Sequence, residues 1–335
     1  MWPPDGIGQV TYKVGRALDR AGRMIEAPWV CGQGWYWGCV NNPYFRRLQV
    51  DRVLWSLQGG ASVIQHDDPR AAIAAVSFGG CWCGYCRQRA ARLGYDLQSQ
   101  MLAFQTSSTV SYVRALRSQT DTASGFAVPM SCNNFRMKLG IPHTLFDYGM
   151  CEIDPADADL GVLEQAYRQF ERMNWMQVVT LRSADIALNR AAIARVHALG
   201  GAMLYPYNVY MPSGSRFSAD AASIALLYRF VRAIGALLDA SRFIDQTPAT
   251  FLTADSLAAL ERARVGTIVR RAGAQTVLHF VPASSDRSVP PVDISCAAPS
   301  GELSVRSAER PDPRVLQRNA FAIAPWDWST LTIGA

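Results

Sequence analysis

No run of about 18 consecutive apolar residues occurs in this 335-residue chain, so no transmembrane helix is expected. The first ten residues, MWPPDGIGQV, lack a basic stretch followed by an apolar one, and so do not read as a signal peptide. Lys/Arg blocks interleaved with aromatics are also missing. The net charge of +6 comes mostly from Arg scattered along helices, which fits a solvated surface better than a nucleic-acid interface. Eight cysteines over this length fall short of a disulfide scaffold, and a reducing, cytoplasmic setting is the expectation. What is present is an ordinary globular composition, 49% hydrophobic and 18% charged, enough to bury a large core.

Chemistry concentrates between residues 59 and 86, GGASVIQHDDPRAAIAAVSFGGCWCGYC. An apolar strand is expected over 61–65, ending in His66-Asp67-Asp68-Pro69. Two adjacent carboxylates at the end of an apolar strand are costly unless paired, metal-bound or functional. Cys81, Cys83 and Cys86 follow in a C-x-C-x2-C spacing that reads as part of a metal site bracing the adjacent loop. The plain alternative is reduced thiols without metal.

Upstream, a strand is expected over 8–14 and a short helix over 18–24. Residues 26–44 have long-loop composition, rich in Trp, Gly, Asn and Pro. Trp35, Tyr36 and Trp37 there form either a stacking platform for a flat ligand or simple loop packing. Apolar residues at helical spacing predict a helix over 44–58. Two further helices are expected over 87–104 and 109–117.

A strand, polar loop, helix rhythm then sets in. Strands are expected over 125–133, 145–153, 175–181 and 201–210, and helices over 160–173, 184–199 and 219–238. This order predicts a parallel sheet with functional residues at the strand ends, as in a (β/α)8 TIM-type barrel. Only five strands are counted between residues 59 and 238, so the barrel reads as incomplete at its N-terminal side. Residues 1–245 form this barrel domain. Residues 246–335, with hairpin-like alternation in VGTIVRRAGAQTVLHFV and short strands in VDISC and GELSVRS, form a small antiparallel, β-sandwich-like domain.

The cysteine pattern resembles the family 42 β-galactosidases and related barrel glycoside hydrolases, over about residues 36–240. That resemblance places His66-Asp67-Asp68 where the family has Asn-Glu, and supplies a fourth zinc ligand, Cys39, ahead of Asn41-Asn42-Pro43-Tyr44. Cys31 is the other candidate for that place. Asn133-Asn134-Phe135 and Phe146-Asp147-Tyr148 resemble strand-end segments of the family. A structural zinc, held by Cys39, Cys81, Cys83 and Cys86, and a carbohydrate substrate are what the resemblance implies. The family's nucleophilic glutamate has no counterpart, because residues 175–182 carry no acid. Asn208 stands where some relatives have an aspartate. The chain therefore reads as a truncated or degenerate relative.

Glycoside hydrolysis needs two carboxyl groups across the scissile bond. The candidates are Asp67 or Asp68 as the acid and Glu152 as the second carboxylate. Successive strand residues face opposite sides, so one of the two aspartates faces the pocket. His66, Trp35, Trp37, Asn133, Asp147, Arg182 and Asn208 are candidate substrate contacts. Bland readings stand beside these. Asp67 suits an Asx turn before Pro69, and Glu152 suits a cap or a loop ion pair. His66 suits a core histidine, and Arg182 a partner for Glu152. The rival function is a catalytically degenerate carbohydrate-binding or scaffold protein. A metal-dependent hydrolase built on His66, Asp67 and Asp68 is weaker, having one histidine there. A missing barrel wall would expose a sheet edge, which a second copy in a homo-oligomer would cover.

Overall fold

The computed structural model describes residues 15–26, 36–67, 69–183, 185–204, 221–282, 287–297 and 301–334. The chain separates into two compact units, residues 1–149 and 150–335. The expected strand at 8–14, and Trp35, Asp68 and Asn208, lie outside the described residues.

In the first unit, residues 18–24 form a tight hairpin in place of the expected helix. Leu18 bridges Met24 in antiparallel fashion. The Asp19 carboxylate accepts the backbone N–H groups of Ala21 and Arg23, and Gly22 takes φ +79°. Asp side chains that capture nearby N–H groups compete with helix formation, and a left-handed glycine closes the turn. Helix α1 (Pro43–Gln58) starts at Asn42, whose side chain accepts the Tyr44 N–H, with Pro43 inside the first turn. Strand β1 (Ile64–His66) leads into a short helix α2 (Ala71–Ala74) and a 3-10 turn, Ala75–Phe78.

The next two helices divide differently from expectation. Helix α3 (Gly84–Leu93) stops at Gly94, which takes φ +74° and returns its N–H to the Ala90 carbonyl. Helix α4 (Met101–Ser124) then runs unbroken through the Thr/Ser-rich stretch at 106–109. Thr106 and Thr109 donate their hydroxyls to carbonyls four residues back, so these side chains stay within the helix. Phe104, Ser108, Tyr112, Val113, Leu116 and Thr120 give α4 its buried face, and α1 packs on this helix.

Strand β2 (Met130–Asn133) pairs parallel to β1, with His66 opposite Cys132. Strand β3 (Tyr148–Ile153), helix α5 (Leu160–Arg172), strand β4 (Met176–Leu181), helix α6 (Ile186–Ala198) and strand β5 (Ala202–Met203) continue the rhythm. The five strands form one sheet in the order β1-β2-β3-β4-β5, the neighbour-to-neighbour order of a (β/α) barrel wall. Helices α7 (Ala221–Ala233) and α8 (Gly235–Ala240) follow. The α/β class expected from the sequence is therefore observed, as five barrel strands among the described residues.

The rest of the second unit is antiparallel. It contains β6 (Ser241–Phe243), helix α9 (Ala254–Arg262), β7 (Gly266–Ala272), β8 (Gln275–Val281), β9 (Val292–Ser295), β10 (Leu303–Ser307), β11 (Arg314–Val315), β12 (Ala320–Ile323) and β13 (Ser329–Ile333). Six strands form a sheet in the order β11-β10-β13-β8-β7-β6, and β12 pairs with β9. Alternating inward residues, among them Val269, Leu278, Phe280, Ile294 and Leu331, make its core.

Arg270, in β7, is 1% exposed and fully engaged. Its guanidinium donates to the Ser241 hydroxyl and carbonyl, the Leu199 carbonyl and the Glu171 carboxylate, the last at 2.8 Å. It also stacks over Phe243 at 4.3 Å. One side chain thus ties the ends of α5 and α6 to β6 and β7. Replacing Arg270 with Ala takes the guanidinium from the Glu171 carboxylate, leaving it the Phe243 N–H, and strips two carbonyls of their donor. A loss of about 3–5 kcal/mol is expected in urea unfolding of the whole chain, as for other broken buried pairs. A loss under about 1 kcal/mol would show that the network does not hold these elements together.

Candidate functional site

The end of β1 opens into a cavity of about 440 Å³ that belongs wholly to the first unit. That size suits a small organic ligand. Five segments build it. The 37–40 loop contributes Trp37 and Val40, one face of α1 contributes Arg52, β1 ends in His66 with Asp67 just beyond it, α4 contributes Tyr112 and β2 contributes Met130. The mixture of aromatic wall, guanidinium, imidazole and carboxylate is that of a polar-ligand site on an apolar floor.

Parallel pairing sets the geometry. Because His66 lies opposite Cys132, the next residues along, Asp67 and Asn133, come level. Asn133 donates its amide to Asp67 Oδ1 at 3.1 Å. The two residues were separate candidates in the sequence and are partners here. Asp67 is exposed, anchored by one oxygen at the mouth of the cavity.

His66 is held by its neighbours. Nδ1 faces the Asp67 carbonyl oxygen at 3.2 Å, and Nε2 faces the Tyr112 hydroxyl at 3.3 Å. A carbonyl oxygen can only accept, so Nδ1 carries the proton. In the neutral ring, Nε2 then accepts from the Tyr112 O–H. The imidazole also meets Phe146 edge-on, with ring centroids 5.5 Å apart. Burial pushes the Tyr112 phenol well above its usual range, so it stays a neutral donor. Burial pulls the Arg52 guanidinium downward. Arg52 and Tyr112 were not singled out in the sequence. The available signal was helical spacing on α1, where Phe45, Gln49, Arg52 and Ser56 share the pocket-facing side.

The other sequence candidates fall in different settings. Asp147 accepts the Met130 N–H at 2.7 Å and pairs with Arg117 at 3.1 Å, so it fastens the start of β2 to α4. In the second unit, Glu152 lies in β3, with its carboxylate 3.8 Å from the Arg182 guanidinium. Trp37 lines the cavity, whereas Tyr36 stacks against Arg16 at 4.1 Å.

Cys39, Cys81, Cys83 and Cys86 come together beside this cavity, all buried, with their sulfurs within 4.8 Å of one another. Cys39 Sγ is 3.5 Å from both Cys83 Sγ and Cys86 Sγ. A disulfide would need about 2.05 Å. Four sulfurs on a tetrahedron of about 2.3 Å metal–sulfur bonds lie about 3.8 Å apart, so the spacing fits one metal ion. Hydrogen bonds from Cys39, Cys81 and Cys86 pull the Cys83 thiol far below its usual range. Asn41 donates to Cys86 Sγ at 3.3 Å and to Ser108 Oγ at 3.0 Å, a second layer around the sulfurs. Cys132, Cys151 and Cys296 are buried elsewhere as core residues.

The chain is similar in fold to an amylase. A noncanonic maltogenic α-amylase from Thermotoga neapolitana aligns with a TM-score of 0.54 at 10% identity, covering 99% of this chain and 74% of that one. Weaker likenesses are to a GH27 β-L-arabinopyranosidase from Geobacillus stearothermophilus and an α-amylase from Geobacillus thermoleovorans. The first has a TM-score of 0.49 at 10% identity, covering 93% of this chain and 68% of that one. The second has a TM-score of 0.48 at 11% identity, covering 97% and 73%. At such identities the amylase likeness speaks to fold alone. No protein-family model matches the chain, and no curated protein sequence does. Among the described residues, no helix is long and apolar enough to cross a membrane.

Proposed function

We propose that this protein is a barrel glycoside hydrolase that acts on a carbohydrate held in the cavity at the end of β1. The observation that carries the reading is the convergence of Asp67, Asn133 and His66 at that strand end, beside the aromatic wall of Trp37. Strand ends are where barrel enzymes place their chemistry. Asp67 gives its proton to the glycosidic oxygen as the anomeric C–O bond breaks. The mechanism needs a second carboxylate, to attack the anomeric carbon or take a proton from the attacking water, and Glu152 is the candidate the sequence offers for it. Asp68, the sequence neighbour of Asp67, is the alternative acid. Asn133 positions Asp67, and His66 and Trp37 contact the sugar.

The four cysteines hold zinc on this reading. Four thiolates suit its soft, tetrahedral preference, and a site closed by four protein ligands is structural. Trp37, Gly38 and Val40 flank Cys39 and line the cavity, so the metal centre braces the ligand wall. The C-x-C-x2-C pattern with Cys39 supports kinship with family 42 β-galactosidases.

One observation favours a second reading, a binding protein descended from such an enzyme. Asp67 is the one acid among the described residues that line the cavity. A panel of aryl glycosides and oligosaccharides, assayed for released product and by calorimetry, separates the two. Product release supports hydrolysis, and heat of binding without product supports the binding protein. Neither signal from any sugar contradicts both.

A further inference from the structure

Two arginines border the four-cysteine cluster with donors buried away from water. Arg46, in α1, donates Nε to the Val40 carbonyl at 2.6 Å, next to Cys39. Its Nη2 is buried without a hydrogen-bond partner. Arg89 lies one helical turn beyond Cys86 in α3, and its Nε is likewise buried and unpartnered. Arg46 is near enough to Arg89 for the two charges to oppose each other, and near enough to Cys39 for a thiolate there to stabilise it. Two like charges with orphaned donors are a costly arrangement in a metal-free protein. A divalent ion bound by four thiolates leaves a net charge of minus two, which two guanidinium groups cancel. Cys83 caps the ten-residue helix α3, and Cys86 sits in its first turn, where the positive end of the helix also favours thiolates.

We propose that Arg46 and Arg89 are the counter-charges of a tetrathiolate metal centre and tune its hold on the ion. The inference rests on the metal reading of the cysteines and assigns new positioning residues to it. Neither arginine touches the metal. Each stabilises the negative charge that binding creates.

The test uses the full chain as wild type, R46M, R89M and the double variant, with R46K keeping the charge. Cobalt(II) titration reads tetrathiolate formation from its absorption bands, and transfer to a chromogenic chelator reads affinity. R46M and R89M are expected to weaken binding about 10- to 100-fold, the double variant more, and R46K least. Thermal melts of the metal-free proteins supply the control. There R89M is expected to match or exceed wild type, because one of two opposing charges has been removed, and R46M to lose no more than its single hydrogen bond to the Val40 carbonyl. Unchanged affinity overturns the proposal, as does an equal loss of stability with and without metal. Wild-type protein that binds no cobalt or zinc overturns the metal reading itself. If R46M fails to fold, R46K and R89M decide the matter by cobalt titration alone.

Discussion

Removing the metal bound by the four cysteines with a strong chelator is expected to unfold the region around them, with a loss of several kcal/mol in stability. The reason lies in what that region uses as a core. Ten buried residues make its apolar cluster: Ala17, Ile25, Ala90, Leu97, Met101, Phe104 and the four cysteines. Without metal, four of the ten are sulfurs that neither cross-link nor fill much volume, and any thiolate among them is a buried charge. The segments they join are short. The hairpin at 15–26 and the loop at 36–39 are held by bridges such as Arg16 to Gly38, and Trp82 gives its N–H to the Leu18 carbonyl. Small structural zinc domains draw about 10–16 kcal/mol from the ion, which sets the ceiling here. Cys39→Ser should reproduce the effect of the chelator. Limited proteolysis and near-ultraviolet circular dichroism, with and without chelator, read the outcome. Because Trp37, Gly38 and Val40 line the cavity, ligand binding should be lost with the metal. A chelated protein with no metal left and an unchanged melting temperature would show that the thiols alone suffice.

Asp67→Asn is expected to lower turnover by about 10²- to 10⁴-fold while leaving sugar binding nearly intact, the usual cost of removing a general acid. The substitution is nearly isosteric. The side-chain oxygen that accepts from Asn133 remains, so position and packing are preserved and the exchangeable proton is lost. Glu152→Gln should be as damaging if Glu152 is the second carboxylate. Losing the ion pair with Arg182 does not explain such a result, because that contact is long and half-exposed, and such pairs contribute about 1 kcal/mol or less. The split between kcat and KM carries the information. A fall in kcat with KM held marks a group used in the transition state, whereas a rise in KM marks a binding contact. Activity of Asp67→Asn equal to wild type would remove Asp67 from the chemistry and turn attention to Asp68.

Local rules made much of this fold legible. The alternation of strand, polar loop and helix after residue 125 reflects two periodicities, and it appears as β2 to β5 with their helices. The C-x-C-x2-C spacing is a local signature too, and Cys39 joins it in space as its resemblance implied. Where reading failed, a single side chain or glycine usually decided. Asp19 and Gly22 turned an apparent helix into a hairpin, and Gly94 set a helix break where amphipathic spacing suggested continuity. The site itself was half legible. His66 and Asp67 stand out as polar residues ending an apolar strand. Their partners do not, because Asn133 meets Asp67 through the register of β1 on β2. Arg52 and Tyr112 reach the cavity from helices that come together only in the packed unit.

A crystal structure of the Asp67→Asn variant, soaked with an oligosaccharide that the wild type cleaves, tests the central claim most directly. A glycan bound in the cavity at the end of β1 is the expected result. Its glycosidic oxygen should lie within hydrogen-bond reach of the side chain at position 67, about 3.2 Å or less. A glycan bound at another strand end, with position 67 far from any glycosidic oxygen, would contradict it.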